Sequence, residues 1–137
     1  MSDLERFIKA QEGSYETALS EIKNGKKISH WMWYIFPQLK GLGRSSTAVF
    51  YGINGFEEAE AYLKHPVLGN RLIEISNELL ELPGDDAHKI FGSPDDMKLR
   101  SSMTLFSLLP NRDSVFDLVL QKFFRGEKDK RTIDILS

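Results

Sequence analysis

The sequence predicts an all-α fold, a single compact orthogonal bundle of about seven helices spanning residues 1–137 as one domain, with no significant sheet. Three observations predict it. Apolar residues recur at i, i+3, i+4 and i+7 along most of the chain. These stripes tend to be bounded by a glycine, a proline or a capping hydroxyl. Only Thr47 to Ile53 is β-branched and aromatic enough for a strand, and a lone strand has nowhere to place its backbone hydrogen bonds, so that segment is read as irregular or helical.

The elements follow in order. Leu4, Phe7, Ile8 and Gln11 form the first stripe, with Ser2 and Glu5 placed as a capping box. Tyr15, Ala18, Leu19 and Ile22 form the second, with Ser14 at the N-cap and Gly25 as the C′ stop. A short helical turn from Ser29 should end before Pro37, whose ring disfavours helix in the residue ahead of it. Phe56 to Lys64 is helical up to the break at His65-Pro66. Leu68, Leu72, Ile75, Leu79 and Leu82 then make a stripe that Pro83-Gly84 ends.

Ser93-Pro94-Asp95-Asp96 reads as a helix start: a cap, proline at N1, and carboxylates facing the positive end of the dipole. The helix it opens has Leu99, Met103 and Phe106 on one face, with Leu105 and Leu108 well off that face, as in a buried central helix. Phe116, Val119, Leu120 and Phe123 give a further stripe closed by Gly126, and Asp129 to Leu136 is a short terminal helix. The chain has no internal repeat, low-complexity tract or linker.

Composition narrows the function classes. A hydrophobic share of 41% and a charged share of 28% are those of a soluble globular domain. The formal net charge is −2 with both signs interspersed, which argues against a nucleic-acid coat and against nucleic acid as the partner. There is no cysteine, which excludes disulfides, thiolate metal sites and cysteine nucleophiles. The N-terminus lacks the basic segment and apolar run of a leader, and the longest apolar run, Trp31 to Phe36, is too short to span a bilayer. The expectation is a cytoplasmic protein without a membrane partner.

The stretch His30 to Ser46, HWMWYIFPQLKGLGRSS, is the densest in chemistry. On a helix Trp31, Tyr34 and Ile35 share one side while Trp33 and Phe36 point elsewhere. The rings either fill the domain centre from several directions or leave one or two to line a pocket for a flat ligand. Gln38 follows, then Gly41, Gly43, Arg44 and Ser45. The glycines lack the spacing of a Walker or dinucleotide loop. They either open a turn after Pro37 or form an anion-binding nest with the Arg44 fork and the hydroxyls.

A second polar cluster, Lys98, Arg100, Ser101, Ser102 and Thr104, sits inside an otherwise apolar helix. Lys98 shares a face with Ser101 and Ser102, whereas Arg100 and Thr104 share another. The serines either bond back to carbonyls one turn earlier or present hydroxyls beside a charge to an anion. The lysine precedes the serine, the reverse of an SxxK nucleophile, which counts against serine acyl chemistry. His30, His65 and His88 lack helical metal-site spacing; His30 and His65 sit where caps are needed. Asp85-Asp86, Glu57-Glu58 and the Lys128 to Arg131 run read as solvated charge.

Family resemblance rests on residues from end to end: Leu4 to Gln11, the HWMWYIFPQ block with GLG after it, Ala61-Tyr62-Leu63, and His65-Pro66 with Leu68-Gly69. Arg71-Leu72, Phe91-Gly92, DMKLRSSMTLF from Asp96 to Phe106, and Phe124 to Asp129 with Thr132 complete it. The chain resembles the family catalogued as domain of unknown function 1810, small helical and mainly bacterial proteins. The resemblance implies a helical fold and supplies no activity, cofactor or catalytic residue. Two functions fit the residues. One is a pocket for an anionic, phosphorylated or nucleotide-like molecule, built from His30, Trp31, Trp33, Gln38, the glycine turn and the Lys98 to Ser102 cluster, with Arg44 and one of Lys98 or Arg100 pointing into it. The other is a protein-interaction surface of Trp33, Tyr34, Phe50 and Tyr51.

Overall fold

The computed structural model describes residues 3–136. Ten helices, and no strand, are formed by the described residues: α1 (Glu5–Gln11), α2 (Tyr15–Lys23), α3 (Met32–Ile35), α4 (Ser46–Tyr51), α5 (Gly55–Lys64), α6 (Leu68–Glu81), α7 (Ala87–Phe91), α8 (Asp95–Ser107), α9 (Val115–Phe124) and α10 (Lys130–Leu136). The all-α class agrees with the sequence; the count of about seven does not. The excess lies in α7, which the sequence did not mark, and in α3 and α4, which it gave only as a short turn before Pro37 and as an irregular or helical stretch; the three have four (α3), six (α4) and five (α7) residues. Elements that short cannot display a full apolar period, so tertiary contacts define them. Helix α7 is an example. Asp86, expected to be plain solvated charge, caps it through Lys89 N at 3.2 Å, while Ala87, Ile90 and Phe91 are buried.

Within Thr47 to Ile53, helix α4 takes the first part. Ile53 alone pairs with Leu39 in a parallel bridge, closed by Lys40 N to Ile53 O and Ile53 N to Gln38 O, both at 2.8 Å. One bridge satisfies the backbone there without a sheet, and it fixes the position of Gln38.

Helix α8 runs through the centre and packs against α5, α7, α9 and α10; α6 packs against α2, α5 and α9. Leu99, Met103, Leu105 and Phe106 of α8 are all fully buried, so this helix carries apolar residues on several sides. Its start differs by one residue from the sequence expectation: Pro94 is the N-cap and Asp95 the first helical residue. The Asp95 carboxylate is engaged by Lys27 Nζ at 2.9 Å and Lys98 Nζ at 3.0 Å. Burial raises the Asp95 pKa, but the two ammonium groups outweigh it and hold the carboxyl below its ordinary range. Ser14 makes no capping bond on α2; its hydroxyl accepts from Tyr34 OH at 3.2 Å. The expected capping partner Ser2 lies outside the described residues.

Glu58 overturns its assignment as solvated charge. It is 5% exposed and binds Arg6 Nη2 at 2.8 Å, while the same guanidinium donates to Phe50 O and Gly52 O. That pair ties α1 to α5 and to the end of α4. His65 caps α6 by accepting from Val67 N and Leu68 N, and Lys122 Nζ donates to the Leu79, Leu80 and Leu82 carbonyls at the other end of α6.

Candidate functional site

The aromatic block divides its rings between the core and one cleft. Trp31 is 1% exposed, wedged against Phe36 and Phe91. Its Nε1 donates to Glu21 Oε1 at 2.9 Å. Trp31 is thus a core residue and not a wall of the cleft, because a buried indole needs an acceptor and Glu21 supplies it inside the domain.

Glu21 was not singled out by sequence, although a carboxylate beside Ile22 on the α2 stripe is an anomaly that marks it. It also accepts from Ile28 N, Ser29 N and Ser29 Oγ. Burial raises its pKa, and these four donors more than reverse that, bringing it from 4.5 to about 2. A depressed folded pKa contributes stability that is complete above the unfolded value and is lost as the pH falls toward the folded one. Urea midpoints of the parent and Glu21→Gln should therefore differ most near neutral pH and converge as the solution is acidified through about pH 4 to 2. A gap that stays constant over that range would contradict the assignment.

Trp33 takes the other direction. It is half-buried and lines a cleft of about 340 Å³ between the α3–α4 connection, α8 and the start of α10. Lys98 Nζ lies 4.2 Å from the Trp33 ring centroid, while its ion pair to Asp95 holds it there. Gly43 approaches the same ring: a Cβ at this position would lie 3.2 Å from Trp33 Cη2 and 2.7 Å from Ala48 Cβ, so only glycine lets the turn close on the tryptophan. Gln38 borders the cleft at 6% exposure, its backbone fixed by the bridge to Ile53. Its Nε2 is fully buried, and neither end of its carboxamide has a hydrogen-bond partner in the protein.

The opposite wall belongs to α8 and α10. Ser101 Oγ lies 3.0 Å from Asp129 Oδ2 and 3.2 Å from Met97 O; its single proton goes to the stronger acceptor, the carboxylate, in place of the back-bond expected of a serine in a buried helix. Asp129 Oδ2 also accepts from Thr132 N at 3.2 Å and from Thr132 Oγ1 at 2.5 Å, and Asp129 N donates to Thr104 Oγ1. Arg131 completes the lining, with Nη2 3.3 Å from Leu42 O.

Of the twelve residues singled out by sequence, the fold brings Trp33, Gln38, Gly43, Lys98 and Ser101 to this cleft. The others lie elsewhere. Arg44 is exposed and does not line it, and Gly41 sits on the surface nearby, 3.5 Å from Ile135 for a Cβ placed there. Ser45 caps α4 by accepting from Ala48 N at 3.1 Å. Arg100 faces away and is locked onto the Glu127 and Lys128 carbonyls at 2.9 and 3.0 Å. Ser102 is fully buried, and its Oγ has no partner. His30 borders a separate hollow with Ser14, Thr17 and Tyr34. The pairing of Arg44 with a helix cation is therefore replaced by Arg131 with Lys98. Arg131 and Asp129 were hidden in a charge run whose sequence gives only one clue, Asp129 three residues before Thr132, the spacing of a helix cap.

A larger depression of about 730 Å³ lies between the ends of α2 and α6. Its charged lining, Lys23, Lys26, Asp85, Asp86 and Lys89, is exposed, and no buried unpartnered polar atom faces it. Volume alone does not make it a site. Among the described residues no group of three histidine or carboxylate side chains is placed to hold a metal ion, and no helix is long and apolar enough to cross a membrane.

The pattern of the family described as protein of unknown function (DUF1810) matches residues 1–136. The chain belongs to this family. The DUF1810 fold seen here is also that of the conserved hypothetical protein Rv1873 from Mycobacterium tuberculosis, whose crystal structure at 1.38 Å is 46% identical over 98% of this chain and 96% of that one, with a TM-score of 0.95. No curated protein matches the chain.

Proposed function

We propose that this domain binds an anionic, phosphorylated or nucleotide-like small molecule in the cleft between Trp33, Gln38, Lys98 and Arg131. The observation that carries this reading is the meeting of two cations, Lys98 and Arg131, on the lining of one cleft beside the half-buried Trp33. An anionic ligand seated there would be held by both. Lysine and arginine are suited to that task, arginine through its fork and lysine as a point charge. We place the protein in the cytoplasm, where an all-thiol-free sequence and phosphorylated metabolites are both at home.

A thermal-shift screen against nucleotides and phosphometabolites tests this. A ligand at about 100 times its Kd adds roughly 2.7 kcal/mol, a rise of several degrees in Tm for a domain of this size. The rise should vanish in a Lys98→Met, Arg131→Met double variant that melts like the parent without ligand. If no compound in the library raises the Tm at millimolar concentration, the reading fails.

The second reading, a protein-interaction surface, rests on Phe50, 54% exposed beside Tyr51 at a ring separation of 4.8 Å, with Val49 47% and Phe56 42% exposed nearby in sequence. Two of the four aromatics assigned to that surface are engaged otherwise. Trp33 lines the cleft under Lys98, and Tyr34 packs on Tyr51 at 5.3 Å.

A further inference from the structure

We infer that Asp95 sets the strength of the anion site at Lys98, and that Lys27 is the positioning residue that keeps Lys98 available to a ligand. The inference rests on the anion-binding reading above and adds the residues that tune the site from outside the cleft. One carboxylate serves two ammonium groups: Asp95 Oδ2 accepts from Lys27 Nζ at 2.9 Å, and Oδ1 from Lys98 Nζ at 3.0 Å. Lys98 lines the cleft, whereas Asp95 and Lys27 do not. The two lysines are held differently. The Lys27 side chain is 7% exposed. Its Nζ also donates to Ser29 O at 2.6 Å and stands 5.1 Å from the Trp31 ring centroid, so three contacts fix it in place. The Lys98 side chain is 21% exposed and is held by Asp95 and the face of Trp33.

A lysine already paired to a carboxylate is a poor anion binder. Its partner repels the ligand, and that partner is stranded if the ammonium turns away. Lys27 removes both obstacles. It offsets the charge of Asp95 from outside the cleft, and it stays on Oδ2 when Lys98 turns toward an anion. An ammonium also carries three N–H groups, so the bond to Asp95 leaves donors over for a ligand. The charge of the group follows from its members. Two lysines and one carboxylate leave a single positive charge, all of it at or next to Lys98. Without Lys27 the group is neutral, and without the Asp95 charge it carries two; with both removed it returns to one. An anion on Lys98 stands about 6 Å from the carboxylate, with the ammonium between them. One unit charge at about that separation changes affinity about three- to tenfold in a partly hydrated cleft.

Isothermal titration calorimetry of the full chain at low salt, with inorganic phosphate and pyrophosphate as probes, tests this in the parent, Asp95→Asn, Lys27→Met and the double variant. Asp95→Asn should bind the probes about three- to tenfold more tightly than the parent. Lys27→Met should bind them about two- to fivefold more weakly, a smaller factor because Lys27 stands farther from the ligand. The double variant should fall below Asp95→Asn and within about threefold of the parent, since its group carries the parent's charge. A purely structural role predicts no such recovery, because a second disruption does not repair the first. Asp117→Asn, which takes the same charge from the Arg112 pair past the far end of α8, should stay within about twofold of the parent. Should Lys27→Met fail to fold, Asp95→Asn against the parent decides alone. Should Asp95→Asn fail to fold, Asp95→Ser replaces it, and failure of both overturns the inference, because Asp95 would then hold the fold and not tune the site. Affinity that is unchanged or lower in Asp95→Asn, that rises equally in Asp117→Asn, or that is not recovered in the double variant overturns the roles of Asp95 and Lys27 and leaves the anion site standing. Failure of both probes to bind the parent and every variant overturns the anion site with it.

Discussion

Replacing Trp31 by alanine is expected to lower the unfolding free energy by about 3–5 kcal/mol, as large-to-small changes in a packed core do. The indole is 1% exposed and packs on Phe36 and Phe91, so little relaxation can refill the space. A second loss comes with the first. Glu21 loses the Nε1 donor at 2.9 Å, one of the four groups that keep its buried carboxylate ionised. Trp31→Phe separates the two contributions, since it keeps most of the ring and removes the donor. It should cost about 1–3 kcal/mol, the range for stranding a buried acceptor. Urea denaturation of both variants beside the parent measures this, and a Trp31→Ala protein that unfolds at the parent's midpoint would remove Trp31 from the core.

Gly69→Ala is the second large effect, and its sign runs against helix propensity. Alanine at an interior helical position ordinarily stabilises by about 1 kcal/mol relative to glycine. Gly69 lies in the first turn of α6, directly against the end of α5, where an added Cβ would stand 2.0 Å from Leu63 O and 2.8 Å from Leu63 C. Those are backbone atoms and cannot swing aside, so α5 and α6 would have to move apart. Overpacking of this kind costs about 1–3 kcal/mol and more where the backbone must shift. A net loss of about 3 kcal/mol is expected, together with weakened packing of Leu68 and Leu72, both buried. Thermal denaturation decides the sign: a higher Tm for Gly69→Ala would mean that the α5–α6 turn opens without penalty.

The sequence showed the long helices more fully than the short ones, and missed α7, for one physical reason. An element such as α6, with Leu68, Leu72, Ile75 and Leu79 all buried, spans enough turns for its period to be read from spacing alone. Helix α7 spans little more than one turn, and its three buried residues, Ala87, Ile90 and Phe91, are intelligible only once α8 lies against them. The same limit explains Glu58. Beside Glu57 it looks like surface charge, and only the fold brings Arg6 from more than fifty positions away to pair with it.

The candidate site divides along the same line. Spacing alone placed Lys98 and Ser101 on one face of a helix, and the aromatic density marked the segment that supplies Trp33 and Gln38. Local chemistry determined that much, together with the all-α class, the absence of thiol chemistry and membership of the DUF1810 family. Which cation joins Lys98 was a tertiary decision. Arg44 is close to Trp33 in the chain yet exposed outside the cleft, while Arg131, almost a hundred positions from Trp33, lines it. Which tryptophan serves the core and which the cleft was also decided there, because Trp31 finds its acceptor in Glu21 of α2 and Trp33 finds Gly43 and Lys98. Helical periodicity fixes which side of its own helix a residue occupies; what stands opposite that side depends on contacts between segments far apart in the chain, and no local pattern encodes them.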